Sequence, residues 1–236
     1  MPPRLLLILP ALGMLVFAAL VAARDPRSPS PRPAVAPVAP ARPEPRPPSI
    51  PASEPQPDAI RWRRSVAAGE PAAGALIRGV RLPERGRLFR TWDPVLKRSP
   101  NRSWRRWGTD RLVRVVLRAA RSYRAEHPGA PPILVGDLSR PRGGDFGPQY
   151  GSIGHVTHQN GLDVDVYYAR RDRRSRAARR VDQVDLRLAQ SLVDHFLRAG
   201  AQTVLVGPST GLTGPSGRVR VVANHDDHLH ARIPPG

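Results

Sequence analysis

The chain has 236 residues, no cysteine and a formal net charge of +19. Disulfides, thiolate metal ligands and cysteine nucleophiles are therefore excluded. The charge points to a polyanionic partner, whether nucleic acid, an anionic membrane surface or an acidic cell-wall polymer, and says nothing about fold.

Taken in chain order, residues 1–23 read as an export segment. Arg4 supplies a positive start, and Leu5 to Ala23 is an uncharged run interrupted only by Pro10 and Gly13. Val21-Ala22-Ala23 offers small residues for cleavage. The run suits a cleaved signal and is also long enough for a retained membrane anchor; its length does not separate the two. Residues 24–58 are rich in Pro, Ala, Arg and Ser. Such a composition cannot bury a core and reads as an extended, disordered spacer.

Residues 59–236 read as one globular domain. Up to residue 108 we expect loops and short strands around Trp62, Trp92, Trp104 and Trp107. A helix capped by Thr109 or Asp110 runs to about Glu126 and stops at His127-Pro128-Gly129. Ile133 to Leu138 is a buried strand, Pro141 to Gly154 a glycine-rich loop, and Leu162 to Tyr168 an alternating strand. Arg170 to Arg180 forms a basic loop. A second amphipathic helix spans Asp182 to Ala199 and ends at Gly200. Thr203–Val206, Val219–Val222 and Leu229–Ile233 read as further strands. The expected class is α+β: a small central antiparallel sheet carrying the functional site, flanked by helices.

Five of the seven histidines fall in two windows, His155 to Asp165 and Asn224 to His230. Each window also holds carboxylates, and neutral imidazole plus carboxylate is the ligand chemistry of zinc. Asn160-Gly161 signals a turn before the first strand. Alternation then puts Asp163, Asp165 and Tyr167 on one face, with Leu162, Val164 and Val166 on the core face. His228 and His230, two apart, share a strand face. If the two strands lie close, His158, Asp165 and one of His228 or His230 converge. Three protein ligands leave a fourth position for water, the arrangement of a catalytic zinc, and the remaining histidine is free to act as a base. His127 and His195 read as surface or satisfied core residues. HExxH is absent, so a helical zincin site is excluded.

The motif His158-x6-Asp165 with a late His228-x-His230 resembles the metallopeptidases grouped with lysostaphin, D-alanyl-D-alanine carboxypeptidases and hedgehog. Gly136-Asp137-Leu138-Ser139-Arg140-Pro141-Arg142-Gly143-Gly144, Gly154-His155-x-x-His158-Gln159-x-Gly161-Leu162-Asp163-Val164-Asp165 and His225-Asp226-Asp227-His228-x-His230-x-Arg232 are similar to the penicillin-insensitive murein endopeptidase branch. The resemblance covers roughly residues 60–236 and is dense only in these blocks. It implies that His158, Asp165 and His230 hold one Zn2+, with His155 a further ligand candidate, and that His228 is the catalytic histidine. His225 would stand near the site with Asp226 or Asp227, and Asp163 beside the ligands. The Gly136–Gly144 block would line the cleft. Ser139, Arg140 and Arg142 are candidates to grip substrate carboxylates, since arginine binds them bidentately. The reaction implied is hydrolysis of D-alanyl–diamino acid cross-links of peptidoglycan by zinc-bound water. An exported, periplasmic or envelope location fits it, with membrane contact only through the N-terminal segment.

Three other readings are weighed against this one. A D-alanyl-D-alanine carboxypeptidase would share the fold, but the Gly136–Gly144 block and His225-Asp226-Asp227 favour the endopeptidase. A non-catalytic peptidoglycan-binding module would not need His228. Nucleic-acid binding has only the charge behind it, with no recognisable motif and an export segment against it. Some members of that family carry cysteines and this chain has none, and its long proline-rich spacer is unusual; neither touches the site chemistry.

Overall fold

The computed structural model describes residues 60–148 and 156–236. Every described residue belongs to one compact unit. The expected export segment, the spacer and His155 lie outside the described residues. Among the described residues, no helix is long and apolar enough to cross a membrane.

The arginine-rich segment before residue 109 forms six short strands: β1 (Val66–Glu70), β2 (Ala73–Ile77), β3 (Val80–Arg81), β4 (Arg85–Gly86), β5 (Phe89–Thr91) and β6 (Trp107–Gly108). Helix α1 (Asp110–Glu126), β7 (Ile133–Val135), β8 (Asp163–Tyr167), α2 (Leu186–Ala199), β9 (Thr203–Val206), β10 (Val219–Val221) and β11 (His228–Arg232) follow. β1–β2 and β3–β6 pair as two-stranded sheets, and a seven-stranded sheet runs β10-β9-β11-β8-β7-β5-β4. The α+β class is as expected. The small antiparallel sheet is corrected, because the sheet has seven strands and two of its pairs, β5–β7 and β9–β10, are parallel. Strands of two or three residues show no readable alternation, which is why β4 and β5 escape a periodicity reading.

The helices follow local rules. Thr109 Oγ1 accepts from Leu112 N at 3.1 Å and caps α1. Asp185 Oδ1 accepts from Leu188 N at 3.1 Å, so α2 starts there and not at Asp182, which lies in a 3-10 turn. Gly200 closes α2 in the left-handed region, φ 112°.

Both helices share one hydrophobic core with Val135, Val164, Val166, Leu229 and Ala231 from the sheet. Burying each of these Val and Leu side chains contributes about 1.5–3 kcal/mol. Leu134 and Tyr167 point the other way and cluster with Trp92. Side chains that alternate with the core set on β8 and β11 therefore emerge on the face away from the helices. Those side chains are Asp163, Asp165, His228, His230 and Arg232.

Candidate metal centre

β8 and β11 are antiparallel neighbours in a register that sets His230 opposite Asp165, Arg232 opposite Asp163 and His228 opposite Tyr167. Directly opposed residues bring their Cβ atoms to within about 4.5–5.5 Å. The pairing thus brings together residues 65 positions apart in the chain. His158 comes from the loop before β8 and is itself buried.

That loop is held against its preference. His158 has φ 71°, a left-handed conformation that costs a non-glycine residue energy and is kept only where the surroundings impose it. Its backbone N–H donates to Asp163 Oδ2 at 3.3 Å. Gln159 N donates to Pro71 O at 3.0 Å, and Asn160 Nδ2 donates to Gly69 O at 3.1 Å, tying the loop to the β1–β2 turn. From the other side Gly144 N donates to Gln159 O at 2.8 Å. Gly143 lies so close that a Cβ would stand 2.1 Å from Gln159 O.

Three atoms meet at the centre. His158 Nε2 lies 3.1 Å from His230 Nδ1 and 3.3 Å from Asp165 Oδ1, and the latter two are 3.1 Å apart. The protons are placed by the outer partners. His158 Nδ1 is 2.8 Å from the Leu138 carbonyl, which can only accept, so Nδ1 carries the proton and Nε2 a lone pair. His230 Nε2 is 2.9 Å from Asp163 Oδ1, so with the ring neutral its Nδ1 carries the inward lone pair. Two imidazole lone pairs and a carboxylate oxygen then face one another without a proton between them, an arrangement that calls for a cation. A tetrahedral ion with bonds of about 2.0–2.1 Å separates its ligands by about 3.3–3.4 Å, close to the spacing found. The donor set and its geometry therefore fit a zinc-sized divalent ion.

The electrostatics agree. Burial opposes charge on His230, but bonds to Asp163 and Asp165 outweigh it and push the ring up to about 9. A proton is the smaller cation for the same cage. Burial would raise Asp163, yet His230, His158 and Arg232 hold it down to about 2. Asp165, also buried, is held well below the carboxylate range by His158 and His230.

Around the centre lies a cavity of about 400 Å³ whose lining includes Pro94, Tyr167, His225 and His228 beside the three donors. His228 Nδ1 donates to Asp227 Oδ1 at 2.7 Å, leaving Nε2 as the other ring nitrogen. Burial disfavours its charged form, and Asp227 with Asp165 more than restores it, so its affinity for a proton is raised. His225 stacks on it with ring centroids 4.9 Å apart.

Of the two candidate partners, Asp227 is thus the one beside His228. Asp226 instead closes a turn by accepting from Ser209 N at 2.9 Å and Ser209 Oγ at 2.8 Å. Asp163 stands behind His230 and also accepts from Arg232 Nε at 2.7 Å.

The Gly136–Gly144 block serves the site in a way the sequence did not suggest. Ser139 is fully buried and cannot grip substrate, which corrects that expectation. Arg140 reaches the Asp145 carbonyl, Arg142 is exposed, and neither lines the cavity among its described residues. The block acts through its backbone. Leu138 O fixes the His158 ring, and Gly136 N donates to Asp165 O at 2.8 Å while Asp165 N donates to Asp137 O at 2.9 Å. Asp137 is locked by Arg105 through bonds of 2.7 and 2.6 Å, with both side chains fully buried. Arg105 was missed because nothing in the sequence separates it from its many arginine neighbours.

A second group, Glu126, His127 and His195, stands at the helix ends. Arg198 already supplies its cation, 3.5 Å from Glu126 and 3.1 Å from His195 Nδ1. His127 Nε2 is 2.7 Å from Ser191 Oγ. These histidines are satisfied, in keeping with the sequence reading.

Fold and site together define a mixed α+β domain with a buried His/Asp group whose donors could hold a metal ion, opening into a cavity. Comparison with known proteins then places it. The chain belongs to the penicillin-insensitive murein endopeptidase family, whose model matches residues 67–205, more than half of its length. That match includes His158 and Asp165 and ends before β11.

Among curated relatives, the penicillin-insensitive murein endopeptidase of Haemophilus influenzae is 31% identical over 99 residues, covering 42% of this chain and 30% of that protein. Those of Salmonella paratyphi B and Salmonella newport are 38% identical over 63 residues, 27% of this chain and 20% of each protein. The matched stretches therefore span less than a third of these relatives.

Proposed function

We propose that this protein is a zinc-dependent murein endopeptidase that cleaves D-alanyl–diamino acid cross-links of peptidoglycan in the cell envelope. The observation that carries the reading is the convergence of His158 Nε2, His230 Nδ1 and Asp165 Oδ1, spaced 3.1–3.3 Å apart. Family membership supports the substrate. The reading keeps residues 1–23 as export signal or anchor, 24–58 as spacer and 59–236 as the peptidase domain. It also sets the chain within the wider lysostaphin, D-alanyl-D-alanine carboxypeptidase and hedgehog group.

His158, Asp165 and His230 would hold the ion, with His155 a further ligand candidate. When bound, the ion supplies Lewis acidity toward a peptide carbonyl and acidifies water. The rest of the chemistry falls to the chain. Asp163 and the Leu138 carbonyl orient the two imidazoles and fix their tautomers. His228, with Nδ1–H held by Asp227, moves a proton at Nε2 between water and the departing amine.

The test is digestion of cross-linked peptidoglycan with muropeptides read by mass spectrometry. We expect dimers to convert to monomers, the conversion to stop with a chelator, and zinc to restore it. His228→Ala should lower the rate about 10²–10⁴-fold, the usual worth of a positioned acid or base, while zinc stays bound. Dimers left intact by zinc-loaded wild type would refute the proposal and favour a binding module. Release of terminal D-alanine from uncross-linked peptides would favour the carboxypeptidase.

A further inference from the structure

A larger cavity, of about 640 Å³, counts Asp227, the partner of His228, among its lining residues. Its charged lining is Lys97, Arg170, Arg176, Arg179 and a single carboxylate, Asp227. Asp227 is already committed to His228. Arg170 is also committed, its guanidinium held by Asp172 at 2.8 and 2.7 Å and by Gln183 at 2.6 Å. Among the described residues, no hydrogen bond or ion pair engages the side chains of Lys97, Arg176 or Arg179. Three cations with no side-chain partner among the described residues therefore face one concave space.

The basic segment is not a loose surface run. Between Arg176 and Arg179, Ala178 is buried in the main core and Ala177 packs against the Trp92–Tyr167 cluster. Tyr167 in turn lies against His228, ring centroids 5.3 Å apart. The two alanines anchor the segment to the wall of the metal centre and leave the flanking arginines toward the cavity. His228 lines one cavity and its partner Asp227 lines the other. The two cavities therefore meet at the Asp227–His228 pair.

We propose that Arg176 and Arg179, assisted by Lys97, form a carboxylate subsite for a free carboxylate of the cross-linked peptide close to the scissile amide. This deepens the reading given above and rests on it for the identity of the substrate. Paired guanidinium groups suit a carboxylate, which accepts two parallel hydrogen bonds. A carboxamide in the same place offers one acceptor oxygen in place of two and no negative charge, so it offsets less of the cost of desolvating the arginines and binds more weakly.

The experiment uses the full chain and two soluble muropeptide dimers. One carries the free carboxylate beside the cross-link, and in the other it is a carboxamide. Calorimetric binding is measured on chelator-treated protein, where no turnover is needed. Wild type should bind the carboxylate form about tenfold more tightly, and Arg176→Ala/Arg179→Ala should abolish that preference, the worth of one charge-assisted pair. Both positions are exposed, so the variant keeps its fold. Steady-state kinetics should then show a raised KM for the carboxylate dimer with kcat little changed. Equal affinity of wild type for the two dimers, or a preference that survives the double variant, would overturn the subsite. Protein that shows the preference yet cleaves neither dimer when zinc-loaded would overturn only the hydrolase reading.

Discussion

Replacing Asp163 by Asn isolates what the outer carboxylate does for the metal centre. In the wild type this fully buried group accepts from His230 Nε2 at 2.9 Å and from Arg232 Nε at 2.7 Å. It thereby keeps the proton on Nε2 and the lone pair on Nδ1, which faces His158 and Asp165. Asparagine has nearly the same shape and can still offer an oxygen, but it removes the negative charge that favours this tautomer. Loss of such a supporting carboxylate typically lowers metal affinity about 10–100-fold. That is about 1.4–2.7 kcal/mol. The value of one hydrogen bond to a charged group, about 1.5–3 kcal/mol, leads independently to the same range. Zinc affinity would be measured by competition with a chromophoric chelator, and circular dichroism would report the fold. A folded Asp163→Asn variant with wild-type zinc affinity would refute the tautomer argument.

Other perturbations probe the scaffold. Asp137→Ala removes the buried carboxylate that grips the Arg105 guanidinium and should cost about 3–5 kcal/mol, read from denaturant midpoints; an unchanged midpoint sinks the claim that this buried pair stabilises the fold. Gly136→Ala would place a Cβ 2.9 Å from Tyr167 Cε2 and 3.2 Å from Asp165 Cβ. It should cost about 1–3 kcal/mol and weaken zinc binding, whereas a neutral result would mean that β8 can yield there. Burial lifts the Tyr123 hydroxyl from 10.0 to about 12 and pushes Tyr167 and Tyr168 higher still. Because the folded state holds these protons more tightly than the unfolded chain, their contribution is intact below pH 10 and falls as pH rises beyond it, through about 12 for Tyr123 and higher for the other two. Phenolate absorbance should therefore appear for these three only as the fold melts in alkali. Ordinary titration near 10 in folded protein would contradict their burial.

The local code of this chain was legible because it depends on neighbours in sequence. Thr109 as cap, Gly200 as stop and the in–out alternation of Asp163 to Tyr167 follow from backbone geometry over a few residues. The two histidine windows announced their chemistry through side-chain type alone. What the sequence left open was register. Whether His228 or His230 stands opposite Asp165 changes with a slip of two residues on β11, and periodicity is blind to such a slip because the same face still points to the same side. Only the paired sheet decides for His230, leaving His228 to meet Asp227. In the same way, Arg105 and Asp137 find each other across 32 residues, and Arg176 and Arg179 become a cavity wall only once Ala177 and Ala178 are packed. Such convergence is fixed by tertiary contacts, and no pattern within a single segment encodes it.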